Sequence, residues 1–151
     1  MRPFANTLTL ACLAIVAVGC TPTRFRVRPE RDDANAARTT AERAAMVCAA
    51  RRIAGDLPPH AFTSDGCSLW PDGRWADCCL QHDMTYWCGG SAAARQDADA
   101  RLCACVAAHG ATCVARLMYV GVRMGGIPWQ PFPWRWGYGW DGMRGYDDVG
   151  P

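Results

Sequence analysis

Ten of the 151 residues are cysteine, and eight of these fall between positions 48 and 113. That density does not suit an ordinary cytosolic protein and points to an oxidising compartment. Bridges among Cys48, Cys67, Cys78, Cys79, Cys88, Cys103, Cys105 and Cys113 would hold the intervening segments together without a large hydrophobic core. The chain length suits one small domain with a modest core. A net charge of +2 gives no strong field for nucleic acid, so no nucleic-acid partner is expected. All sixteen basic residues are arginine, which suits phosphate recognition where one is well placed.

Residues 1–19 read as a signal peptide. Arg2 gives a short basic start, residues 8–18 are almost wholly apolar, and the run is too short to span a bilayer. Its ending, Ala17-Val18-Gly19-Cys20, resembles a bacterial lipoprotein lipobox, which implies acylation at Cys20 and a lipid anchor. The expected location is therefore the bacterial cell envelope; an ordinary cleaved signal, with a periplasmic or secreted product, is the alternative. Residues 20–33 form a polar tether with no periodicity. Residues 34–54 carry Ala37, Ala41, Ala44, Ala45, Val47 and Cys48 on a loose helical stripe, which predicts a helix ended near Gly55.

The chemistry concentrates in Asp77-Cys78-Cys79-Leu80-Gln81-His82-Asp83-Met84-Thr85-Tyr86. No Gly or Pro interrupts it, and at about 100° per residue His82 and Tyr86 share one helical face, with Cys78 and Cys79 one turn earlier. Asp83 points to the side. A helix over 75–87 should end at Gly89-Gly90, and Ser91 should cap a second helix over 92–108. A short turn makes the two antiparallel, which brings Asp97 or Asp99 to His82. A carboxylate there would fix the tautomer of a histidine base, and Tyr86 can bond the same group. Upstream, residues 64–73 form a loop in which Gly66 and Gly73 permit positive φ and Pro71 breaks any ladder. Such a loop can turn carbonyls and a carboxylate inward toward a hard cation, and Cys67 can clip it to the helix. Cys78, Cys79, His82 and Asp83 are also a conceivable zinc set, but disulfides suit an exported chain better.

Cys78-Cys79-x-x-His82-Asp83 resembles the active-site signature of the secreted phospholipases A2. Asp65-Gly66-Cys67-Ser68 is similar to the start of the calcium loop in their bacterial branch, and Arg95-x-x-Ala98-Asp99-x-x-Leu102 looks like its second-helix motif. The resemblance spans residues 62–108. It implies a calcium-dependent phospholipase A2 acting on phospholipid membranes, with His82 activating a water, Asp99 holding the other ring nitrogen and Tyr86 bonding that aspartate. It implies Ca2+ on Asp83, Asp65 and the Gly66 carbonyl, and disulfides Cys67–Cys79 and Cys78–Cys105. The pairing of Cys48, Cys88, Cys103 and Cys113 stays open. The chain departs from the animal enzymes, whose glycine-rich calcium loop is replaced by Leu69-Trp70-Pro71. Two other readings are a catalytically inactive lipid- or protein-binding lipoprotein and a structural envelope lipoprotein.

Beyond Cys113, residues 114–120 read as a short helix stopped by Gly121 or Gly125-Gly126. Ile127 to Trp140 then holds Trp129, Phe132, Trp134, Trp136, Tyr138 and Trp140 among Pro and Gly. This segment either docks on lipid through interfacial aromatics or wraps the domain as added core. Residues 145–151 are expected to be loose. The expected architecture is mostly α: a disulfide-stapled phospholipase-A2-like domain over 34–121 with two antiparallel active-site helices and a calcium-type loop, then an irregular Trp/Pro/Gly-rich tail over 122–151.

Overall fold

The computed structural model describes residues 33–51 and 56–147. The expected signal peptide, the lipidation candidate Cys20 and the tether up to residue 32 lie outside the described residues. Within them the chain is mostly helical: α1 (Ala34–Ala49), a single 3-10 turn (Gly73–Trp75), α2 (Ala76–Cys88), α3 (Ala92–Ala108) and α4 (Thr112–Gly125), with no strand.

Local chemistry sets the helix starts. The Asp33 carboxylate accepts from the Asn35 and Ala36 amides and caps α1, and the Ser91 hydroxyl accepts from the Ala94 amide and caps α3. α1 ends at Ala49, earlier than its alanine stripe suggests. It buries Ala44 and Cys48 against Met84, Trp87 and Cys88 of α2.

Disulfides between described residues staple the elements. Cys67–Cys79 ties the 64–73 loop to α2, Cys78–Cys105 ties α2 to α3, and Cys48–Cys88 ties α1 to the end of α2. Cys103 is a free, half-buried thiol, so the Cys103–Cys113 pairing left open by the sequence is not formed. Cys78 and Cys79 are both oxidised, which removes the thiolates a zinc site on Cys78, Cys79, His82 and Asp83 would need. The close grouping of Cys78, Cys105 and His109 is likewise a disulfide beside an imidazole.

The contacts between α2 and α3 run in opposite order along the two helices: Cys78 meets Cys105, His82 meets Asp99, and Tyr86 meets Arg95. The helices are therefore antiparallel. α4 packs on α3 and adds Ala115 and Met118 to a core of Leu102, Val106 and the two α2 disulfides. It continues through Gly121 and ends at Gly125, so of the two stops expected, Gly121 and Gly125-Gly126, the second holds. Burial of Ala115 and Met118 outweighs the roughly 1 kcal/mol that a helical glycine costs.

The segment after α4 completes the end of α2. A helix leaves its last four carbonyls without intrahelical partners, and here each is met. Thr85 O accepts from Gly89 N (3.1 Å), Tyr86 O from Gly137 N (2.7 Å), Trp87 O from Gly139 N (3.2 Å) and Cys88 O from Trp140 Nε1 (2.8 Å). Trp136 is 1% exposed, stands edge-on to Tyr86 with ring centroids 5.0 Å apart, and donates from its indole to Gly90 O. Tyr146 bonds Arg95 and the Asp147 amide bonds Gly90 O, so the chain is held up to residue 147 where a loose end was expected. The boundary expected at 121/122 falls inside α4. Trp129 and Phe132, in contrast, remain exposed.

Candidate active site

Asp99 is 0% exposed and lies at the centre of the polar interior. Its Oδ1 is 2.8 Å from His82 Nε2 and 2.8 Å from the Tyr86 hydroxyl, and its Oδ2 accepts from Arg123 Nη1 at 2.8 Å. An ionised carboxylate only accepts hydrogen bonds, so His82 Nε2 is the donor to it, and in the neutral ring Nδ1 is then the acceptor. No described protein group bonds Nδ1, and His82 lines an open cavity of about 250 Å³. The ring lies against Tyr86, with centroids 4.2 Å apart and planes 34° apart.

The side chains around the dyad leave few polar atoms unmatched. Arg95, 1% exposed, donates from Nε to the Tyr86 hydroxyl (3.1 Å), from Nη1 to Tyr146 (2.9 Å), and from Nη2 to Val122 O and Arg123 O (2.8 and 2.7 Å). The last two acceptors belong to the final turn of α4, so one guanidinium joins α3, α4, the C-terminal segment and Tyr86. Burial alone would raise the Asp99 carboxyl. Hydrogen bonds from His82 and Arg123, reinforced by that from the Tyr86 hydroxyl, hold it below the ordinary carboxylate range instead. Burial, then the negative charge of Asp99, pushes the Tyr86 phenol upward, so it stays a neutral donor.

Sequence reasoning left Asp97 and Asp99 as alternatives until the family resemblance favoured Asp99. Asp99 faces His82, whereas Asp97 is exposed and pairs with Arg101 one turn along the same helix. Arg123 and Tyr146 were not singled out. Arg123 is far from Asp99 in sequence and carries no motif, so only the fold of α4 onto α3 brings them together.

The other predicted site residues occupy the loop side. Asp65 and Asp83 both line a smaller cavity of about 150 Å³, with Thr63, Pro133, Trp134 and Tyr138. Asp83 also lines the larger cavity, and so does Trp134, so the two spaces adjoin at these side chains. Asp83 Oδ2 accepts from Ser64 Oγ (2.5 Å), and Asp65 Oδ1 from Ser68 Oγ (2.6 Å). The Tyr138 phenol is pushed upward by burial and then by the charges of Asp83 and Asp65, which places both carboxylates in one electrostatic neighbourhood. Gly66, with φ 77°, lines the larger cavity and not the smaller one; its amide donates to Ser64 Oγ. Asp65 and Asp83 thus share the smaller cavity as carboxylate oxygens, the donor type a hard cation takes.

The larger cavity is walled mainly by Leu69, Trp70, Leu102, Met118, Val122, Phe132 and Trp134, with Ser68, His82, Asp83 and Tyr86 as its polar side chains. Comparison with protein-family models, with curated proteins and with solved structures finds no match to this chain.

Proposed function

We propose that the protein is a calcium-dependent phospholipase A2 that hydrolyses the sn-2 ester of glycerophospholipids. The observation that carries this reading is His82: Nε2 is fixed by a buried carboxylate while Nδ1 is unengaged in an apolar cavity. That is the arrangement of a general base, because a neutral ring nitrogen can take a proton from water as the water attacks an ester. Asp99 would then stabilise the imidazolium that forms, and Tyr86 would hold Asp99 in place. The proton would pass from the imidazolium to the departing alkoxide, which leaves a fatty acid and a lysophospholipid.

The cavity suits the acyl part of such a substrate, since its walls are mainly apolar. Whereas Gly66, expected to add its carbonyl, lines the larger cavity and accepts from the Ser68 amide, Asp65 and Asp83 would hold calcium in the smaller cavity. Bound there, calcium supplies positive charge for a phosphate oxygen and for the oxyanion that develops on the ester carbonyl. Two side chains at the cavity also favour an interfacial substrate. Leu69 is 91% exposed on a loop residue with φ 64°, and Phe132 is 40% exposed. Large apolar groups held in water at a cavity lining gain free energy when they enter a lipid surface. The envelope location and the Cys20 anchor belong to the same reading and would keep the enzyme near membranes.

The test is fatty acid release from mixed glycerophospholipid vesicles by the oxidised protein, with calcium and with chelator. Release from the sn-2 position that stops on chelation is expected. Calcium binding without release from any vesicle would favour the inactive lipid-binding reading.

A further inference from the structure

We propose that Arg123 is a positioning residue of the His82–Asp99 dyad, fixing the carboxylate through Oδ2 so that Oδ1 is aimed at His82 Nε2 and the Tyr86 hydroxyl. The effect on turnover rests on the phospholipase reading, while the geometry stands apart from it.

The case begins with the two oxygens of a fully buried carboxylate. Oδ1 is shared by His82 and Tyr86, both at 2.8 Å. A buried oxygen without a donor is costly, and a carboxylate bonded through one oxygen alone is free to rotate about its terminal torsion. Arg95 does not fill the gap: its Nε is 3.9 Å from Oδ2 and is engaged by the Tyr86 hydroxyl at 3.1 Å. Its other two nitrogens are spent on Tyr146 and on two α4 carbonyls. Arg123 Nη1, at 2.8 Å, is therefore the donor that locks Oδ2. The bond is charge-assisted, the stronger class of hydrogen bond.

The placement of Arg123 separates its side chain from the stability of the fold. Its side chain is 32% exposed, and its main chain is held by Arg95 Nη2 on Arg123 O at 2.7 Å. Removing the guanidinium thus releases the carboxylate while the end of α4 stays pinned. The candidate base then loses its fixed orientation, and small misplacements of catalytic groups cost up to about 100-fold in rate.

The experiment compares wild type, Arg123→Gln, Arg123→Lys and Arg123→Ala. In vesicle hydrolysis, Arg123→Gln should lower kcat by about 10- to 100-fold with KM changed less than about twofold. Arg123→Lys should recover part of the loss, and millimolar guanidinium should partly restore Arg123→Ala. A kcat within twofold of wild type, or a loss matched by a lowered Tm, would overturn the proposal. Long-range 1H–15N correlation of the His82 ring supplies a readout that needs no turnover. Wild type should hold the Nε2–H tautomer and Arg123→Gln should mix the two; an unchanged tautomer in the variant would also overturn it. A wild-type protein with no activity would sink the phospholipase reading and leave the tautomer test in force.

Discussion

His82, Asp83 and Tyr86 were legible because a single helix fixes their relative positions: an i, i+4 pair must share a face, and a residue next to one of them cannot. Their partners were legible only in part. Antiparallel packing narrows the choice to Asp97 or Asp99, and the exposed ion pair that occupies Asp97 follows from the rotation of α3, which a short Gly-Gly turn does not dictate. Arg123 lay beyond reach, since nothing local marks one arginine among sixteen as the donor to a buried oxygen. Asp99 also carries a pH prediction. Its folded-state pKa is depressed, so its contribution to stability is present above the unfolded value of about 4. That contribution is lost as pH falls through the lower folded value. Denaturant unfolding as a function of pH should show this acid limb in wild type, and Asp99→Asn should flatten it. An identical limb in the variant would assign acid unfolding to other carboxylates.

At the scale of elements, the sequence located α3 well because Ser91 and His109-Gly110 bracket an unbroken helical run. It overran α1, where Ala49 and Ala50 have high propensity but are exposed, and it left α4 to stop at Gly121 or at Gly125-Gly126, of which the second is where the helix ends. Burial on one face decided both. The aromatic segment was ambiguous because composition does not say which rings are inside. The answer is divided: Trp136 is core, while Trp129 and Phe132 are exposed. Truncation before Ile127 would strip three of the four α2 carbonyls of their partners and remove Trp136 from its seat on Tyr86. The truncated protein should lose cooperative thermal unfolding; an intact transition with weaker vesicle binding would mean the segment serves only for docking. Gly126 gives a finer test of the same contact. A Cβ there would lie 2.5 Å from Tyr86 Cε1 and 2.7 Å from its hydroxyl. Gly126→Ala should destabilise by about 1–3 kcal/mol, read by denaturant titration, as overpacking displaces Tyr86. Unchanged stability would mean that the end of α4 yields freely.

At the scale of the molecule, the disulfides Cys48–Cys88, Cys67–Cys79 and Cys78–Cys105 and one buried polar cluster share the task of organisation. The bridges fix the loop and helices, and Arg95 draws α3, α4 and the C-terminal segment onto Tyr86. The result is a hydrogen-bonded dyad beside a mainly apolar cavity, with Asp83 shared between that cavity and the smaller one that Asp65 also lines. Such preorganisation is what hydrolysis of a water-poor, membrane-held ester requires. The decisive measurement is sn-2 fatty acid release from phospholipid vesicles by wild type and His82→Gln, with matched circular dichroism and Tm. Calcium-dependent release by wild type, reduced on the order of 100-fold or more in the variant with its fold intact, is the expected result. Equal release by the two proteins would contradict a histidine base, and the hydrolytic site would have to be sought elsewhere in the chain.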